Sequence, residues 1–190
     1  PGTPPTNWSI AAGSGLSSQI VATGVDNGIN YIDIRFFGTS SAGPTYPGIY
    51  FDTSTNFAVT SGALVTTSAY VKLIAGSWNN TTNPLIVMYN SNSSGTGLNQ
   101  YRTNACLPTS SSLFSQRCSV STTSTSFSNA STAYARPYFQ FTVSSAGLPI
   151  DVTVRIGMPQ IELGSFVTSV IPTQGSAVTR SPDSFSFPTG

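Results

Sequence analysis

With 190 residues, 38% of them apolar, the chain is long enough to enclose one sizeable core. Charge is scarce: seven basic and six acidic side chains, 7% of the chain against roughly 25% in an average soluble domain. A net charge of +1 excludes the clustered Lys and Arg of a nucleic-acid footprint, and no apolar run approaches the roughly 20 residues of a membrane-inserted helix.

The start, PGTPPTNW, lacks the basic-then-apolar layout of a signal peptide and reads as a linker over residues 1–6. From there the dominant signal is period-two alternation, with no helical stretch. It predicts strands over 8–12, 19–23, 30–37, 48–52, 57–60, 66–75, 84–90, 119–127, 138–144, 150–158 and 160–163. Gly, Pro, Asn and Ser clusters separate them, such as DNG at 26–28, SAGP at 41–44 and NSNSSGTG at 90–97. These clusters supply the positive-φ positions of tight turns. Abundant Ser, Thr and Asn alternate with Ile, Val, Phe and Tyr, which a disordered polar tract would not show. Many short strands without intervening helices predict an all-β, antiparallel β-sandwich or jelly roll over 7–180, with residues 181–190 as a tail or the start of a further segment.

Alternation also assigns faces. In NYIDIRFF, Ile32, Ile34 and Phe36 oppose Tyr31, Asp33, Arg35 and Phe37. Tyr70 and Lys72 oppose Val71 and Leu73; Tyr138 and Gln140 oppose Phe139 and Phe141; Asp151 and Arg155 oppose Val152 and Val154. Each strand thus carries one apolar face and one with aromatic, ionic or amide groups, as in a sheet with one side packed and one side open. Tyr31, Asp33, Arg35, Tyr70, Lys72, Tyr138 and Gln140 are candidates for sugar contact, because rings stack on pyranose faces while charged and amide groups pair with vicinal hydroxyls. The competing reading is mutual neutralisation by cross-strand ion pairs. Trp78, in the polar loop AGSWNNTTNP, is a further stacking candidate unless it folds back over a sheet edge. Tyr101 and Arg102, in LNQYRTN, offer a stacking ring beside a charge, whereas Trp8 is expected against the core.

Cys106 and Cys118 bracket a short loop and are either a disulfide or two thiols. With no histidine, Ser-His-Asp and Cys-His arrangements are excluded. The few carboxylates that a glycosidase could pair have basic neighbours, which work against a raised acid-catalyst pKa. The expectation is a non-enzyme without a cofactor. A structural calcium at residues 26–28 is one reading of Asp26-Asn27-Gly28, and turn chemistry is the other.

Three stretches carry a family resemblance. RIGMPQIELGSFVTSVIPTQGSAVTR at 155–180 resembles the closing segment of carbohydrate-binding-module-like β-sandwich domains from phage tail fibres and head spikes. Gly157, Pro159, Gln160, Ile161, Glu162, Gly164, Phe166, Thr168, Ser169, Ile171, Pro172, Thr173, Thr179 and Arg180 fit that wording. A second match is ATGVDNGINYIDIRFFGTSSAG at 22–43, through Gly24, Asn27, Gly28, Tyr31, Ile32, Asp33, Arg35 and Phe36; SAYVKLIAGS at 68–77 is weaker. The resemblance implies an adhesion module on the virion surface, outside the cell. Its partners would be host cell-surface polysaccharide and other virion subunits, with a homotrimer the commonest fibre assembly. The alternatives are a structural decoration domain, which the Pro-rich start and the end TRSPDSFSFPTG also suit, or a targeting module of a larger polysaccharide-degrading enzyme.

Overall fold

The alternating stretches form eleven strands in a computed structural model that describes residues 2–53 and 55–171, the side chains of Gln100 and Tyr101 excepted. They are β1 (Ser9–Ala11), β2 (Leu16–Asp26), β3 (Ile29–Thr39), β4 (Gly48–Tyr50), β5 (Phe57–Ala58) and β6 (Val65–Gly76), then β7 (Thr82–Ser91), β8 (Gly97–Ala105), β9 (Arg117–Ser121), β10 (Tyr134–Thr142) and β11 (Pro149–Leu163). The helical content of the described residues is one 3-10 turn, Leu113–Ser115. Residues 172–190 lie outside the described residues, and with them Pro172, Thr173, Thr179, Arg180 and the expected domain end at 180.

One sheet runs β1-β4-β10-β7-β8, with β5 added on β10; the other runs β2-β3-β11-β6-β9. All pairings are antiparallel. With β1, β2 and β5 set aside, the remaining strands pair outermost with outermost in sequence: β3 with β11, β4 with β10, β6 with β9, and β7 with β8. That nesting is the jelly roll. Between the layers, Ile34, Phe36, Val71, Val152 and Val154 of one sheet meet Ile49, Ile86, Met88, Phe139 and Phe141 of the other, all fully buried. Phe36 and Phe141 meet edge to face, with centroids 5.3 Å apart at 85°. Each such side chain contributes roughly 1.5–3 kcal/mol by leaving water.

The hairpin β2–β3 turns on two residues, Asn27 at φ 51° and Gly28 at φ 80°, as a primed turn requires. Cys106 and Cys118 are joined as a disulfide with Cα atoms 5.6 Å apart. The bond ties the end of β8 to β9, and so one sheet to the other along one side of the sandwich.

Four strands differ most from expectation; the stretch 119–127 is strand only as β9, which ends at Ser121. Residues 97–105 read as loop, yet they form β8, an edge strand whose residues are too polar to show a core-facing stripe. Strand β10 begins at Tyr134, ahead of Pro137. In a strand a residue's N and O point to the same side. The Pro137 carbonyl accepts from Phe51 N, so the missing N–H faces a side where the β4 ladder has already ended at Tyr50. The two stretches 150–158 and 160–163 are one strand, β11, with a bulge between Gly157 and Gln160 where Met158 takes φ 42°.

Candidate functional site

The outer face of the β2-β3-β11-β6-β9 sheet was the richest in candidate residues, and its polar atoms are largely engaged with one another. Register places Arg155 opposite Asp33 and Gly157 opposite Tyr31. Arg155 donates through Nε to Asp33 Oδ1 at 2.8 Å, through Nη2 to Asp33 Oδ2 at 2.9 Å, and through Nη1 to Asp26 Oδ2 at 2.9 Å. Its guanidinium lies 3.4 Å from the Tyr31 ring centroid. Hydrogen bonding to Asp33, ahead of that to Asp26, raises the Arg155 pKa. Asp33 is only 3% exposed. Asp26 therefore faces a guanidinium rather than a cation cage, and turn chemistry accounts for Asn27 and Gly28.

One register step away, Arg35 grips Asp151 through two hydrogen bonds of 2.8 and 2.7 Å and lies over the Phe37 ring at 4.7 Å. Tyr70 is buried beneath Phe114, with rings nearly parallel and centroids 6.2 Å apart, while Arg117 lies 5.6 Å from the Tyr70 ring. Tyr70, Ile29 and Leu113 make a second, small apolar cluster on this face. Lys72 is half-buried and stands opposite Arg155. The open recognition patch expected of Tyr31, Asp33, Arg35 and Tyr70 is thus occupied by ion pairs and covering side chains.

The closing motif has a mechanical part to play. Glu162 accepts from Thr168 N at 3.1 Å and from Thr168 Oγ1 at 2.6 Å, and Gln160 Oε1 accepts from Ile171 N at 3.1 Å. Arg117 Nη1 donates to the Thr168 carbonyl at 2.6 Å. These contacts clasp the segment that follows β11 against the sheet.

Of the two readings of Trp78, a stacking ring or one folded back over a sheet edge, the structure shows the second. Its indole is half-buried, donates through Nε1 to the Pro108 carbonyl at 2.9 Å, and meets Phe141 edge-on at 5.5 Å. The apolar ring gains more against the rim of the core than in water, so the loop folds it back. Trp8 packs on Phe51 at 5.2 Å. The Tyr101 side chain lies outside the described residues.

The outer face of the other sheet gathers what the sequence scattered. Register aligns Tyr50, Tyr138, Val87 and Thr103 in one row across β4, β10, β7 and β8, with Arg136 and Tyr89 in the next. Tyr138 is the floor, 6% exposed, and the half-buried Tyr50 and Tyr89 flank it at centroid distances of 4.8 and 5.8 Å. Arg136 lies 4.1 Å from the Tyr50 centroid; Nε donates to the Asp52 carbonyl at 2.8 Å and Nη1 to Tyr89 Oη at 3.3 Å. Gln140 stands opposite Gly48, where no side chain rises to cover its amide. Three rings, a guanidinium fixed at their rim and an amide form a shelf suited to stacking and hydroxyl recognition.

Tyr138 and Gln140 were legible from alternation, but Tyr50, Tyr89 and Arg136 were not. The signal for Arg136 was the stripe Tyr134, Arg136, Tyr138, Gln140 at spacing two, interrupted by Pro137; nothing in the sequence singled out Tyr50 or Tyr89 for this face.

No family model matches the chain, and no curated protein matches it. Solved structures do. One, from work on the promiscuous specificity of carbohydrate-binding modules of the β-sandwich superfamily, aligns over 84% of this chain and 58% of its own length, at 10% identity and a TM-score of 0.55. Another, the CBM22-1 xylan-binding domain of Paenibacillus barcinonensis Xyn10C, aligns over 84% of this chain and 86% of its own, at 17% identity and a TM-score of 0.46. The chain thus spans somewhat more than half the length of the first of these structures. The fold is the β-sandwich found in carbohydrate-binding modules.

Proposed function

We propose that this domain is a non-catalytic glycan-binding module that reads polysaccharide on the shelf of Tyr50, Tyr89, Tyr138, Arg136 and Gln140. The single observation that carries the reading is the clustering of those rings on the outer face of the β1-β4-β10-β7-β8 sheet, beside an amide that the opposing Gly48 leaves open. The sandwich likeness supports it, since the work on the aligned structure concerns carbohydrate-binding modules of the β-sandwich superfamily. Stacking on a small shelf gives modest affinity, so function follows from several copies acting together. The sequence resemblance in residues 22–43 and 155–180 supports placing those copies on a trimeric virion fibre or spike, outside the cell, against host surface polysaccharide.

A second reading, a structural decoration domain, draws on the other sheet, whose ionic groups serve the fold. A glycan array probed with the multimerised chain separates the two. Tyr50→Ala and Tyr89→Ala should each abolish the signal for neutral glycans, and Gln140→Ala should weaken it. A parent multimer that binds no glycan on the array overturns the adhesion reading.

A further inference from the structure

Strand β8 breaks the rule its neighbours obey. Arg102 stands opposite Met88 and Asn104 opposite Ile86, and both partners are fully buried, so these polar residues occupy the inward-facing positions of an edge strand. Binary patterning calls for apolar side chains there, and departures without local compensation concentrate at functional sites. Asn104 is compensated: its Nδ2 donates to the Ser119 carbonyl at 2.9 Å, across to β9. Arg102 is not. Its Nε is buried without an acceptor, and no salt bridge among the described residues reaches it. The five described carboxylates are engaged elsewhere: Asp26 and Asp33 with Arg155, Asp151 with Arg35, Asp52 with Asn56, and Glu162 with Thr168.

The guanidinium lines a cleft of about 290 Å³ between β8 and β9, walled by Thr103, Asn104, Ser119, Val120 and Ser121. The Cys106–Cys118 bond fixes the spacing of the two strands at one end of it. Arg102 is half-buried as a whole, but a buried Nε–H without an acceptor is costly, and an anion in the cleft would satisfy it. A planar fork selects carboxylate through paired hydrogen bonds. The remaining walls, chiefly hydroxyl and amide groups, suit a hydroxylated ring, and the volume suits one sugar.

We infer that the β8–β9 cleft is a binding site for a carboxylated sugar, with Arg102 pairing the carboxylate and the polar atoms of the other lining residues available to the hydroxyls. The site is separate from the tyrosine shelf, which lies on the outer face of its sheet, and it does not depend on the shelf binding anything.

The test titrates the full chain with uronic- and sialic-acid-terminated oligosaccharides and with their methyl esters, in which one added methyl group removes the carboxylate charge. At least one acid should bind about 10- to 100-fold more tightly than its ester, the span expected for hydrogen bonds to a charged group. Arg102→Gln should erase that preference, while its melting temperature holds or rises because a buried Nε–H without an acceptor has been removed. Tyr50→Ala should leave the preference intact, which separates this site from the shelf. Equal binding of every acid and its ester overturns the proposal. So does an acid preference that survives in Arg102→Gln, and so does a clear fall in that variant's melting temperature, which would make Arg102 a structural residue.

Discussion

Arg155 holds Asp33 with two parallel hydrogen bonds across the β3–β11 ladder while its remaining nitrogen reaches Asp26 at the hairpin turn. Three carboxylate contacts from one guanidinium lock the register of β2, β3 and β11 at once. With side-chain exposures of 15% and 4%, neither Arg155 nor Asp33 has water to fall back on. Arg155→Met should therefore destabilise the fold by about 3–5 kcal/mol in urea denaturation, and replacing Asp33 by Leu in the same chain should recover most of the loss. A single variant as stable as the parent would show that the pair has no role in the fold.

The neighbouring pair answers to pH. Hydrogen bonding to Arg35 holds the Asp151 carboxyl below its ordinary value of 3.8. A carboxyl depressed in the folded state stabilises above its unfolded pKa, and the contribution disappears as pH falls through the lowered value. The loss should thus appear only below about pH 4 and shrink in high salt, because both side chains are exposed. Carbon-13 titration of the Asp151 carboxyl should return to the ordinary range in Arg35→Gln.

Removing the disulfide should cost on the order of 3 kcal/mol, the value for closing a loop of this size. The Cys106→Ser/Cys118→Ser double variant and the reductant-treated parent should unfold at the same lowered denaturant midpoint. A midpoint unmoved by reductant would show that the bond contributes nothing to stability.

Trp78→Ala should cost about 2 kcal/mol or more, somewhat below the ~3–5 kcal/mol of a fully buried ring, because the indole is only half covered. Glycan binding on the shelf should persist in the folded fraction of that variant. If binding vanished while the melting temperature held, Trp78 would be a contact residue after all.

The strands and the two-layer architecture were legible because alternation is a direct image of one packed face, as in Ile32, Ile34 and Phe36 against Tyr31, Asp33 and Arg35. What alternation cannot convey is which strands lie side by side. Asp33 and Arg155 are 122 positions apart, and only the first-with-last nesting makes them partners. For the same reason Tyr50, Tyr89 and Tyr138 read as three unrelated rings. Strand β8 escaped notice because its inward positions carry Arg102 and Asn104, the reversal that gives the cleft its interest. The motif that made the chain recognisable, Gln160 through Ile171, proved to be a clasp for the segment after β11.

The disulfide cross-link that adds to the backbone connections between the layers sits on the β8–β9 flank, while the opposite flank ends in the three-residue β1 and the bulged β2. Amide protons of the short β1 should therefore exchange ahead of those in β9 beside Cys118, an order that hydrogen exchange read by mass spectrometry checks.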